Sequence, residues 1–190
     1  MYHYLQQKWL ENLGIITSLI CIWLNTKQNV WGWFWAIVSS AIYGVIFYQV
    51  QLFSDMGLQG IFILLSIYGW HSWLFGSTQK MILLVSKIPT KLSVICLGFF
   101  LIFTLISGYL FSQYSQASLP YLDSSLTSIS LIATWMTARK YLENWTLWIF
   151  VNVAYVGMYL YKGLNETALL YAILIVLAVK GYRNWLKSIS

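Results

Sequence analysis

Residues 30–50 read VWGWFWAIVSSAIYGVIFYQV, twenty-one residues without a charged side chain. About 20 apolar residues cross a bilayer as a helix, so this stretch reads as a membrane span. Shifted by 112 positions, the stretch lands on a second apolar run: Trp33 falls on Trp145 and Tyr43 on Tyr155. The register holds on both sides. Trp23 falls on Trp135, Leu58 on Leu170, Gly69 on Gly181 and Trp73 on Trp185, and 15 of the 57 positions from 18 to 74 match those from 130 to 186. Chance matches of Leu and Ile are common among apolar helices, but four aromatic matches and a glycine in one register are not. A period of this kind has to be settled before any motif is interpreted.

Six further segments complete the chain. The seven lie at about 9–25, 30–50, 54–75, 91–113, 120–138, 143–162 and 166–186. Segments 1–3 repeat as 5–7, and because they lie four crossings apart the two triplets point the same way through the membrane. Segment 4 is then a lone inverting linker. The expected fold is an all-α membrane protein of seven transmembrane helices in a 3+1+3 parallel repeat. It forms one transporter domain over 1–190, with repeat 1 at about 9–75, the linker helix at about 91–113 and repeat 2 at about 120–186. Parallel repeats occur in transporters, where substrate sites lie at the repeat interface near mid-membrane.

Composition agrees. The chain is 59% hydrophobic, 18% aromatic and 8% charged, against about 25% charge in a soluble domain. No cleaved signal peptide is evident at the start. The net charge of +6 forms no stripe, which argues against nucleic acid. The basic residues read as topology signals. Lys27, Lys80, Lys87, Lys91, Arg139, Lys140, Lys180, Arg183 and Lys187 collect on one side, with Lys8 and Lys162 on the other. That bias places the N-terminus outside and the C-terminus in the cytoplasm. Cys21 and Cys96 both fall within apolar segments and read as buried thiols.

Polar side chains in hydrocarbon face a bundle interior or a wet cavity. Segment 5 presents Ser124, Thr127, Ser128 and Thr134, segment 2 presents Ser39, Ser40 and Tyr43, and segment 6 presents Asn152 and Tyr155. Hydroxyls of this kind usually bond between helices. The primary amides of Gln59 and Asn152 both donate and accept, and are candidates for a ligand. Trp70 and Trp73 share one helix face at i and i+3, where two indoles could hold a flat cation. Tryptophans also anchor helices at the membrane surface, and that explains most of the others. Trp70 and Trp148 lie a turn deeper than Trp73 and Trp145 and are the better ligand wall. Two histidines, His3 and His71, make no metal cluster, and no catalytic motif appears. The expectation is a non-enzymatic protein without metal or cofactor. With every acid near a helix end, an ion-coupling relay is lacking, which favours facilitated diffusion.

Trp31-Gly32-Trp33, the run from Leu52 to Gln59, Tyr68-Gly69-Trp70-x-x-Trp73, and the run from Thr137 to Trp145 followed by Asn152 resemble the PnuC nicotinamide riboside transporter family. The resemblance covers about 9–186. It implies a SWEET-like fold, a homotrimer in the bacterial cytoplasmic (inner) membrane, and uptake of a small cationic vitamin by facilitated diffusion. It carries substrate contact to Trp70, Trp73, Gln59 and Asn152. Tyr155, Trp148, Tyr43 and Ser40 complete the candidate substrate-binding set from their depth and facing. The thiamine-transporting PnuT group looks alike, so thiamine is the alternative substrate. A SWEET-type sugar carrier shares the architecture without a reason for a cation-friendly wall, and a non-transporting scaffold predicts no saturable uptake in proteoliposomes.

Overall fold

The computed structural model describes residues 2–49, 51–76, 83–114, 119–161 and 165–189; Lys80 and Lys162, used above for topology, lie outside them. Seven helices are described: α1 (Tyr2–Thr26), α2 (Trp31–Gln49), α3 (Phe53–Phe75), α4 (Thr90–Tyr114), α5 (Pro120–Ala138), α6 (Asn144–Tyr161) and α7 (Asn165–Leu186). Each falls on one expected segment. α1 begins seven residues early, because the polar run before Trp9 is helical as well.

By length and composition, four of the described helices can cross a membrane: Trp31–Gln49, Ser54–Phe75, Thr90–Tyr114 and Thr167–Leu186. α4 and α5 show the two ways a helix can meet this environment. α4 is the most apolar of the four and has one buried residue, Gly108. α5 carries hydroxyls and buries eleven residues. Its polar positions meet protein, which removes the cost of placing them in hydrocarbon.

The chain divides into two compact units, Met1–Leu84 with Lys180–Ser190, and Val85–Val179. In the first, α2 packs against both α1 and α3; in the second, α5 packs against both α4 and α6. Ile132, Met136 and Tyr141 form the core of the second unit, flanked by Leu92, Cys96 and Phe100 of α4. This division differs in kind from the sequence repeat, since α4 and most of α7 belong to the second unit and the end of α7 to the first.

The corners α1/α2 and α5/α6 share one backbone motif, 112 positions apart. In the first, Gln28 N–H donates to Asn25 O at 3.0 Å and Asn29 N–H to Leu24 O at 3.0 Å. In the second, Lys140 N–H donates to Thr137 O at 3.0 Å and Tyr141 N–H to Met136 O at 2.9 Å. These paired bonds close a helix C-terminus as a Schellman turn, whose turning residue takes a left-handed conformation. Gln28 has φ 54° and Lys140 has φ 53°. The side-chain contact behind each turn is also shared. The Asn25 amide oxygen lies against Gly32, where only a hydrogen fits; in the other corner Thr137 Oγ1 donates to Asn144 Oδ1 at 3.1 Å.

Different segments cover the two corners. On the second lies the strand-like stretch before α4. Ser86 pairs with Tyr141 as a parallel bridge, and Ile88 N–H donates to a Glu143 carboxylate oxygen at 3.0 Å. On the first lies the end of α7. Trp185 Nε1–H donates to Asn25 O at 3.0 Å, and Gln28 Nε2–H to Ser188 Oγ at 3.0 Å.

The α2/α3 corner repeats the turn with Gln51 at φ 61°. Leu52 N–H donates to Phe47 O at 2.9 Å, and the Gln51 side chain is exposed. A side chain in this conformation costs about 1 kcal/mol that glycine avoids. Gln51→Gly should therefore raise stability by about 0.5–1 kcal/mol, read as the unfolding midpoint in detergent. A loss of stability would show that the turn tolerates glutamine for a reason beyond its backbone.

Candidate functional site

In the first unit the tryptophans sort into two groups. Trp33 at the start of α2, Trp73 at the end of α3 and Trp185 near the end of α7 are 2%, 7% and 0% exposed. Trp73 meets Trp33 edge-on with ring centres 5.4 Å apart and lies 6.0 Å from Trp185. The second group stands nearer the surface. Trp70 is half-buried, 6.0 Å from Trp31 and 6.0 Å from Phe34, and Trp31 is 57% exposed. The helical spacing puts both W-x-x-W positions on one face of α3, yet each indole turns toward a different aromatic group. Trp73 is the more enclosed of the two, and Trp70 is the one with more surface left.

Gly69 makes the buried group possible. A Cβ there would lie 2.5 Å from Trp33 Cζ2, closer than any side chain tolerates. Glycine lets α3 lie directly on the indole.

The polar candidates of the first unit sit further along α2 and α3. Ser40 and Gln59 are half-buried, and the Gln59 Cβ lies 3.8 Å from where a Cβ on Gly44 would be, so the amide stem faces α2. Tyr43 packs over Gly14 of α1 and stacks on Phe47 at 6.2 Å. Neighbouring Ser39 is buried, and its Oγ lies 2.6 Å from Ser18 Oγ, an interhelical bond of the ordinary kind.

In the second unit Trp148, Asn152 and Tyr155 occupy i, i+4 and i+7 of α6 and so share a face. Asn152 is 5% exposed; Trp148 and Tyr155 are half-buried. Tyr155 lies 4.8 Å from Tyr171 of α7 and 6.0 Å from Tyr159. Tyr171 and Tyr159 border this face and lie outside the sequence-based set. The signal was present: the 112 shift puts Tyr159 on Phe47 and Tyr171 on Gln59.

The α5 hydroxyl face divides. Thr134 Oγ1 donates to Ser130 O at 2.8 Å and Ser130 Oγ to Leu126 O at 2.8 Å, so these two serve their own helix. Ser124 and Ser128 are buried, with no hydrogen-bond partner for either hydroxyl among the described residues. At the α5/α6 corner Lys140 is 4% exposed, and burial pulls its ammonium pKa below the ordinary lysine value. Among the described residues it is the one buried cation.

Comparison with known proteins places this arrangement in context. The family model described as "Nicotinamide mononucleotide transporter" matches residues 8–187. The nicotinamide riboside transporter PnuC of Escherichia coli K12 is 30% identical, over 95% of this chain and 86% of that protein. The riboflavin/roseoflavin transporter RibM of Streptomyces davaonensis is 24% identical, over 93% of this chain and 84% of that protein. Among solved structures, the crystal structure of the vitamin B3 transporter PnuC superimposes with a TM-score of 0.74 at 20% identity, covering 95% of this chain and 82% of that chain. The fold is shared with that transporter.

Proposed function

The chain belongs to the nicotinamide mononucleotide transporter family, and from that premise we propose that it carries nicotinamide riboside across the bacterial cytoplasmic membrane by facilitated diffusion. The observation that carries the reading is the face of α6 where Trp148, buried Asn152 and Tyr155 stand in line. An indole and a phenol attract a flat cation through their ring faces, and a primary amide between them offers both a donor and an acceptor to a carboxamide or a ribose hydroxyl. Trp70, Trp73, Gln59, Tyr43 and Ser40 of the first unit are proposed as further contacts during passage, Trp70 with the more accessible ring. The 112-residue repeat, supported by the shared corner turns, is the proposed basis of the 3+1+3 architecture. The N-terminus is proposed to lie outside and the protein to work as a homotrimer.

The family's description names the mononucleotide, whereas the Escherichia coli relative is named for the riboside. Charge favours the riboside here. A phosphate carried out of water needs a compensating cation, and the one buried cation among the described residues, Lys140, sits at a helix corner beside the Ser86 stretch. The RibM relative and the likeness of thiazolium to pyridinium make riboflavin and thiamine the competitors to exclude.

Calorimetry on the purified protein with nicotinamide riboside, its mononucleotide, thiamine and riboflavin decides among them. The riboside should bind and be taken up saturably into proteoliposomes without an ion gradient. Mononucleotide binding as tight as the riboside would refute the charge argument, and preferential thiamine or riboflavin binding would replace the substrate.

A further inference from the structure

Where α5 begins, α6 ends and α7 begins, the second unit gathers three tyrosines and a carboxylate. The Tyr159 and Tyr171 rings lie 5.2 Å apart with planes 31° from parallel. Tyr155 completes the triangle, 4.8 Å from Tyr171. All three rings are half-buried. Asp123, exposed in the first turn of α5, stands near enough to act electrostatically on Tyr159.

Packing alone would be served by Leu at these positions. In the first unit the positions 112 earlier hold Glu11, Phe47 and Gln59. The acid and the paired rings recur there, but the third ring and the hydroxyl of the second do not. Electron-rich rings with a carboxylate near them make the chemistry that recognises an organic cation, and a carboxylate at the rim raises the local concentration of such a cation.

We propose that Asp123, Tyr159 and Tyr171 form a capture station for a planar organic cation at the outer end of the second unit, which passes it through Tyr155 to Asn152 and Trp148. The inference deepens the transport reading above and rests on it. Tyr155, shared by the tyrosine triangle and the α6 face, is the physical link between them. The station selects on charge at entry, while the amide and the indole further along select on shape.

The test compares nicotinamide riboside, a cation, with its reduced form, which is neutral and nearly the same size. Asp123→Asn and Tyr171→Leu should each weaken binding of the cation and raise its uptake KM by about two- to fivefold. Maximal uptake rate and the affinity for the neutral form should stay near wild type. The salt dependence of uptake should flatten in Asp123→Asn. Tyr171→Phe keeps the ring and should keep the affinity, which guards against misfolding in the leucine variant. Equal losses for both forms would assign the cluster to packing and overturn the station, as would unchanged cation affinity in both variants. Failure of the wild-type protein to bind the riboside at all would instead overturn the transport reading, and the station with it.

Discussion

Trp33→Ala is expected to lower the stability of the protein by about 3–5 kcal/mol, the cost of emptying a large buried aromatic site. Trp33 is 2% exposed, and Gly69 on one side and Trp73 on another define its space. Neighbouring helices do not close such a hole easily, because they are held through the same ring. The complementary change approaches the site from the other wall. Gly69→Ala would push a methyl group to within 2.5 Å of the indole, and overpacking of this kind costs about 1–3 kcal/mol. Both are read from unfolding midpoints in a fixed detergent. A Trp33→Ala midpoint within about 1 kcal/mol of wild type would mean that the tryptophan group is an ornament of the membrane surface. The same experiment with Trp70→Ala should give a smaller loss, since Trp70 is half-buried.

The second large effect concerns the ligand. Asn152→Ala should weaken nicotinamide riboside binding by about 10- to 100-fold, from the loss of one or two hydrogen bonds made by a buried amide, about 1–3 kcal/mol. The side chain is 5% exposed and stands between Trp148 and Tyr155 on α6. Calorimetry gives the affinity, and the unfolding midpoint separates it from a folding defect. Asn152→Asp distinguishes the reasons further, since a carboxylate can accept but not donate. Retained affinity in Asn152→Ala, with the fold intact, would return this residue to helix packing.

The helices themselves were plain in the sequence, because a bilayer imposes a length of apolar chain and the loops here leave little ambiguity. α1 alone started more than one residue early. The run Tyr2–Lys8 is too polar to read as a span, yet nothing in it stops a helix. The corners were partly legible through the 112-residue register, whereas the use of Gln28 and Lys140 in a left-handed turn was not, since glycine is the usual sign. The W-x-x-W spacing put Trp70 and Trp73 on one face of α3. It could not say that Trp73 would be enclosed by Trp33, forty residues before it, and by Trp185, more than a hundred after it. Periodicity reports a residue's face, and only the tertiary contact reports whether that face meets ligand or protein. The tyrosine group escaped for the same reason, its members being contributed by two helices.

The cap on the first corner has a consequence for biosynthesis. Asn25 O receives its indole partner from Trp185, 160 residues later in the chain. At about 5–20 residues per second of translation, the opening hairpin waits roughly 8–32 s in the insertion machinery before that donor exists. During this interval the early carbonyl is served by water or lipid headgroups, and α7 completes a turn made much earlier. A nascent chain halted short of residue 185 should therefore expose this corner to protease where the finished protein protects it.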